Sequence, residues 1–315
     1  MLRQAQHDGS LPCHATPPIH YPAYLRSMSI QPVRLDFPLA CARHRRPFTA
    51  DARYIPSGQP KPVVVFVHGF KGFKDWGHFN VLADWFAQQG FVFVKLNLSH
   101  NGLVVGGTGD LEDLEAFGQN NFSLELDDIG ALLDCLTQGQ TGLPATEADL
   151  TRLALIGHSR GGGLVLLKAA EDARVRAVVT WAAISNVNPG WPEALMQQWQ
   201  QQDVFHVENS RTGQQLPMRY QIVEDYHQHR LRLDIRHNVR RKLRQPLLIV
   251  HGDQDETVPV ERAHDLKSWK PAAELQLLPN VTHNFGGVHP WQSEELPTEA
   301  LQAAEATAAF LRRVL

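Results

Sequence analysis

Residues 153–167 read "LALIGHSRGGGLVLL", a serine crowded by Gly157, Gly161, Gly162 and Gly163 between two apolar runs. Each glycine costs ordering entropy and weakens any helix it enters, so the cluster needs a reason. A nucleophilic serine supplies one, because its hydroxyl must project above a sharp strand-to-helix turn whose neighbours two positions either side are tiny. Gly157, Ser159 and Gly161 have that spacing, the preceding run reads as a strand and the following one as a helix. The helix start would add free N–H groups that favour negative charge beside Ser159. Gly162 and Gly163 would let the helix approach neighbouring strands closely. A phosphate-binding turn is the competing explanation, but the stretch matches neither G-x-x-x-x-G-K-[ST] nor G-x-G-x-x-G.

Serine alone is a poor nucleophile and needs a base, with an acid to orient that base. Both are expected downstream, acid first and histidine second. "LLIVHGDQDETVPV" places Asp253 and Asp255 just after an apolar run, and "LLPNVTHNF" places His283 after the next one. The two aspartates compete for the acid's role. Asp255, set before "ETVP" where the chain turns toward its next helix, is favoured, and Asp253 reads as a turn former. An oxyanion formed by attack on a carbonyl needs two backbone donors. The N–H of Arg160, directly after the nucleophile, is one. The other is assigned to Phe70, after "KPVVVFVHG", where Gly69 keeps the backbone open. The Arg160 side chain is then free to pair with a structural acid or to meet an anionic substrate.

These groups need a frame that sets strand ends side by side. "KPVVVFVHGF" and "FVFVKLNL" are β-branched, nearly continuous apolar runs of the kind buried on both faces of a sheet, and between them "WGHFNVLADWFAQQG", 76–90, has helical spacing. "SLELDDIGALLDCLT" reads as a helix capped by Ser123. "LALIGHS", "RAVVTWAAI", "PLLIVHG" and "AELQLLP" read as strands; helices are expected after Ser159, over about 260–270 and over roughly 297–314. Such alternation predicts an α/β fold, a mostly parallel central sheet flanked by helices. Short strands near 31–57 would add an antiparallel edge. The rhythm breaks over 185–245, where a hairpin turning at Thr212-Gly213 is followed by basic helical sequence. An insertion there reads as a cap over a ligand site, leaving 28–184 and 246–315 as the core.

At 315 residues, 43% hydrophobic and 20% charged, the chain has ordinary globular composition. Its formal net charge of −3 argues against nucleic acid or an anionic membrane as partner, and favours a small molecule. Cys13, Cys41 and Cys135 have neither disulfide-framework nor zinc spacing, which fits a cytoplasmic protein. Residues 1–27 lack the apolar stretch of a secretory signal and read as a loose extension, with Met28 a candidate start. His227, His229 and His237 invite a metal reading, but H-x-H without a carboxylate pattern is weak, and a solvated cap helix is simpler. Trp181, Trp191 and Trp199 could wall a pocket, although tryptophan is more often core.

Taken together, "VHGFKGFKDWGHF", "GHSRGG", "HGDQDETVP" and "THNF" resemble the α/β-hydrolase superfamily over about residues 30–315. Within it they look like the serine esterase branch of feruloyl and cinnamoyl esterases, near the dienelactone-hydrolase and prolyl-oligopeptidase-like enzymes. The resemblance implies a triad of Ser159, Asp255 and His283, oxyanion donors at Phe70 and Arg160, an inserted cap that shapes the acyl pocket, and no cofactor or metal. It implies hydrolysis of small or aromatic carboxylic esters through an acyl-enzyme, with peptidase, thioesterase or acyltransferase chemistry open to the same triad, and with assembly as a homodimer left open. A non-catalytic binding protein on this scaffold is the reading of another class. The loop "NLSHNGLVVGGTGDLEDLEAFGQNNF" departs from the shorter loop of many relatives and could line the pocket through His100 or Asn101.

Overall fold

The computed structural model describes residues 31–107, 109–188, 190 and 192–315. The expectations for residues 1–27, Met28, Cys13 and Trp191 lie outside the described residues.

The chain opens with an antiparallel pair, β1 (Val33–Ala40) and β2 (Pro47–Tyr54), and then alternates. β3 (Lys61–Val67), α1 (Phe79–Gln88) and β4 (Val92–Leu96) lead through α2 (Leu114–Gly118) and α3 (Phe122–Thr137) to β5 (Ala148–His158), α4 (Arg160–Glu171) and β6 (Val175–Trp181). An inserted run follows: α5 (Glu193–Gln202), β7 (Val204–Asn209), β8 (Gln214–Arg219), α6 (Gln221–Gln228), α7 (Arg230–Leu233) and α8 (Ile235–Arg241). β9 (Leu247–Gly252), α9 (Glu261–Trp269), β10 (Glu274–Leu278) and α10 (Thr298–Val314) complete the fold.

Eight strands form one sheet in the order β1-β2-β4-β3-β5-β6-β9-β10. Only β1–β2 and β2–β4 pair antiparallel; every other neighbour is parallel. The all-apolar runs read as strands buried on both faces have that environment. Val63, Val65 and Val67 of β3 pack with Leu126, Leu133 and Leu164 on one face, while Val64 and Phe66 pack with Phe86, Trp181 and Ala304 on the other. Period-two alternation thus feeds two cores from one continuous apolar run. After β3 the chain places β4 on one side and β5 on the other, so the strand order reverses at β3/β5. In open α/β sheets, ligands bind beyond the strand ends at such a reversal.

One expectation is corrected. The cap of α3 is Asn121, not Ser123: its side chain accepts the Leu124 N–H at 2.9 Å, while Ser123 lies inside the first turn, where its own N–H meets Asp225 at 3.1 Å. Asn and Ser are comparable caps, and the asparagine wins because its backbone is extended (φ −151°) as a cap requires. The β7–β8 hairpin pairs only with itself. It turns through Thr212 and Gly213, whose N–H groups both reach the Asn209 carbonyl, at 3.0 and 2.8 Å, with Gly213 at φ +71°. Among the described residues no helix is long and apolar enough to cross a membrane.

Candidate active site

Ser159 sits between β5 and α4 with φ +56° and ψ −119°, a backbone conformation that non-glycine residues adopt at a cost of about 1–3 kcal/mol. Its surroundings hold it there: the Ser159 N–H donates to Trp181 O at 2.8 Å, and its carbonyl accepts from Gly162 and Ile184 at 3.0 and 3.2 Å. The flanking glycines are required by close approach. A Cβ on Gly157 would stand 2.2 Å from the Gly161 carbonyl oxygen, and one on Gly161 would stand 2.3 Å from that of Val67. Both contacts are with backbone, so neither can be relieved by turning a side chain. A Cβ on Gly162 would stand 2.4 Å from the Ala183 side chain and one on Gly163 2.7 Å from that of Ile184, so α4 lies close against the segment that follows β6.

His283 Nε2 lies 3.0 Å from Ser159 Oγ, and His283 Nδ1 lies 2.8 Å from Asp255 Oδ2. The second oxygen of Asp255 accepts the N–H groups of Thr257 and Val258 at 2.9 and 2.8 Å, and buried His251 stands 3.4 Å from Oδ2. Burial by itself would raise the Asp255 carboxyl. The hydrogen bonds from His251, His283 and Val258 outweigh burial and hold it below the usual carboxylate range. Asp253, the competing acid, instead accepts the Asn280 N–H at 2.7 Å. It thereby ties the acid-bearing loop to the histidine-bearing loop, the turn-forming part assigned to it. The same two loops touch where Gln254 N–H reaches Val281 O at 3.1 Å.

Phe70 follows β3, and Arg160 opens α4. The Arg160 side chain turns away from solvent: Nε donates to Glu125 at 2.9 Å, and the guanidinium lies over Phe122 and Phe70, at 4.1 and 5.2 Å from the ring centroids. Of its two anticipated partners it has taken the structural acid. The loop carrying Phe70 is anchored by buried charge, with Lys74 donating to Asp51 and Asp75 at 2.8 and 2.6 Å and Lys95 to the same pair at 3.0 and 2.7 Å. Burial opposes ionisation of Asp75, but Lys95 and Lys74 overcome it and draw that carboxyl far below its ordinary value.

His158, the variable residue of the Gly-x-Ser-x-Gly turn, was not singled out by spacing. It is buried, its Nε2–H donates to the His283 carbonyl at 2.9 Å, and its ring packs on His283 with centroids 4.9 Å apart. Burial, and then the neighbouring His283, lower its pKa to about 3, so the ring is neutral. His68, just before Gly69, is neutral for the same reason, pushed by burial to about 4. It bridges Gly69 O and Leu98 N–H, at 2.9 and 3.3 Å.

A cleft of about 560 Å³ opens over Ser159. Its aromatic walls are Phe70, Trp76 and Phe79, and Asn209, Ser210 and Arg211 of the β7–β8 tip close one side. The anticipated tryptophans are elsewhere: Trp181 and Trp199 are buried, bonded to Thr307 and to the Met218 carbonyl. Asn101 lines a neighbouring cavity of about 490 Å³ instead, and His100 bonds Ser99 and packs edge-on against His44. Loop 97–113 therefore reaches the cleft indirectly, through Asp110 to Arg211 at 2.6 Å and Leu111 O to Gln214 at 2.9 Å. A hairpin over the strand ends was legible; which of its residues reach the cleft depends on tertiary packing.

The family model Hydrolase_4, described as serine aminopeptidase S33, matches residues 58–234. No curated protein matches. Among solved structures, the chain is similar to Est1E from Butyrivibrio proteoclasticus at 18% identity and TM-score 0.60, covering 89% of this chain and 98% of that one. It is similar to an esterase domain from Rhodothermus marinus at 21% and 0.58, covering 89% and 98%. It is also similar to a puromycin-hydrolysing peptidase of Mycobacterium tuberculosis at 18% and 0.59, covering 90% of this chain and 39% of that one.

Proposed function

The chain belongs to the S33 family of α/β-hydrolase serine hydrolases, and from that premise we propose that it cleaves carboxylic esters of small or aromatic acyl groups through an acyl-enzyme. The observation that carries this reading is the unbroken row Asp255–His283–Ser159, at 2.8 and 3.0 Å, ending on a serine at a strained turn.

In this reading Ser159 Oγ attacks the ester carbonyl carbon while His283 Nε2 takes the hydroxyl proton. Asp255 keeps Nδ1–H pointed inward and stabilises the imidazolium. The carbonyl electron pair moves to oxygen, where the Phe70 and Arg160 N–H groups receive it. When the pair returns, the C–O bond to the alcohol breaks and His283 gives its proton to the departing oxygen. Water then attacks the acyl-enzyme, losing its proton to His283, and Ser159 is released with its hydrogen restored. No step calls for a cofactor.

The aromatic cleft walls support an acyl group of modest size, and solved Est1E is described with ferulic acid bound. The β7–β8 hairpin and its flanking helices act as the cap. Turnover of 4-nitrophenyl acyl esters of increasing length, methyl ferulate and an aminoacyl anilide by wild type and Ser159→Ala tests the reading. Ser159-dependent ester cleavage, with the anilide slower, is expected. A folded wild type that turns over none of them and takes no fluorophosphonate label would be a binding protein on a hydrolase scaffold.

A further inference from the structure

Among the described residues, the cleft over Ser159 is lined by the basic side chains of Lys71 and Arg211 and by no Asp or Glu side chain. Lys71 follows the candidate oxyanion donor Phe70 directly, and Arg211 sits at the tip of the β7–β8 hairpin. The Lys71 ammonium donates to the Glu208 carbonyl at 3.1 Å and stands 5.9 Å from the Phe70 ring centroid. Among the described residues it has no ion-pair partner within 4.0 Å. A lysine ammonium has three donors, so this bond leaves two to offer. Arg211 uses Nη2 on Asp110 at 2.6 Å, an exposed pair that water screens, and most of its fork stays available. His289, also in the lining, has its pKa lowered by burial and then by Arg211, against the opposing pull of Asp110.

We propose that the cleft selects esters bearing a free carboxylate beyond the scissile bond, held between Lys71 and Arg211. The inference rests on the ester-hydrolase reading above and gives it a substrate class. Two cations brought to one concave site from separate elements raise the local potential more than scattered surface charges do. A substrate with a free α-ammonium meets the opposite arrangement: no Asp or Glu side chain is among the described residues of the lining, and Asp110 at the rim is already paired with Arg211. The apolar walls near Ser159 take the carbon chain, and the cationic rim takes its charged end. Binding at the rim positions the carbonyl without changing the reacting groups, so the selectivity falls mainly on KM.

The test compares 4-nitrophenyl hydrogen adipate with its methyl ester, which differs in the terminal charge and one methyl group. Wild type at low salt is expected to favour the acid by about tenfold in kcat/KM, as one charge-assisted hydrogen bond provides. That preference should shrink in 0.5 M salt, roughly the range in which the Debye length falls below 5 Å. Lys71→Met combined with Arg211→Gln should abolish it through KM while turnover of the neutral ester persists, which also reports folding. Arg262→Gln removes an exposed cation remote from the cleft lining and should keep the preference, separating the cleft from overall charge. Equal rates on the two esters, or a preference that survives the double variant, overturn the inference and leave the hydrolase reading standing. Failure of wild type on both esters and on the fluorophosphonate overturns both.

Discussion

Replacing His158 by alanine probes a residue that packs against the proposed base, His283. The change removes the 2.9 Å bond to the His283 carbonyl and the ring packed 4.9 Å from the His283 imidazole. A hydrogen bond contributes about 0.5–1.5 kcal/mol net, and a buried carbonyl left without its donor costs about 1–3 kcal/mol. If that cost falls on the geometry of His283, kcat drops by roughly 5- to 150-fold, since 1.4 kcal/mol is a factor of ten. KM should change less than kcat, because Phe70, Trp76 and Phe79 still wall the cleft, which loses only the part that the His158 ring lines. Because His158 has a pKa of about 3, it stays neutral above about pH 4 and adds no limb to the pH–rate profile. The assay is kcat and KM on a neutral 4-nitrophenyl ester, with the fluorophosphonate labelling rate and a thermal melt alongside. His158→Gln, which keeps a donor, should recover part of the rate. A melt lowered by several degrees with kcat within twofold of wild type would refute the positioning argument and leave His158 a packing residue.

Ser159→Ala is expected to lower turnover by at least about 10³-fold with little change in melting temperature; retained activity would remove Ser159 as nucleophile. Asp255→Asn should cost on the order of 10³–10⁴-fold in kcat, and a loss below tenfold would contradict the role assigned to the acid. Asp255 also contributes stability above the unfolded carboxyl pKa of about 3.9, lost as pH falls toward its depressed folded value, so the Asn variant should show a shallower acid-unfolding slope. His68, His78 and His158 are lowered by burial to about 4, 4 and 3, so the unfolded chain binds more protons below its histidine pKa of about 6.5. With His100, also lowered chiefly by burial to about 4, urea unfolding should weaken steadily from pH 6.5 to 4, approaching a slope of about four protons; stability flat over that window would disprove neutral burial. Gly157→Ala, with its Cβ 2.2 Å from the Gly161 carbonyl oxygen, should lose both fold stability and activity, whereas Gly163→Ala, which meets the movable Ile184 side chain, should do less harm.

The parts of the site that hang on strand ends were legible because local sequence determines them. "GHSRG" specifies a turn, apolar runs specify strands, and chain order places the acid before the histidine, so Ser159, Asp255 and His283 could be named from spacing. Asp255 was separable from Asp253 by its place before the next helix, and the two now occupy different hydrogen bonds. Parts assembled across the chain were not legible. Nothing near Arg160 announces Glu125 across 35 positions, and no local pattern says that His158 faces the carbonyl of His283 across 125. The helix cap moved from Ser123 to Asn121 because the two are chemically similar there, and only backbone conformation separates them. Trp181 and Trp199 went to the core because burying a large apolar area outweighs lining a small cleft.

The β7–β8 hairpin bonds to no strand of the main sheet. Its hydrogen-bonded cross-links to the elements before it are side-chain contacts, among them those of Arg211, Gln214, Arg219 and Lys71, and Leu216 and Met218 add apolar ones. The reacting groups therefore sit on one continuous backbone network and the wall that greets the substrate on another. Exchanging the hairpin and its partner loop for segments of other lengths would redraw what enters the cleft while leaving the acyl-transfer machinery in register. The scaffold can acquire new substrates by replacing its outer wall, provided the replacement keeps the apolar contacts that Leu216 and Met218 make with the core.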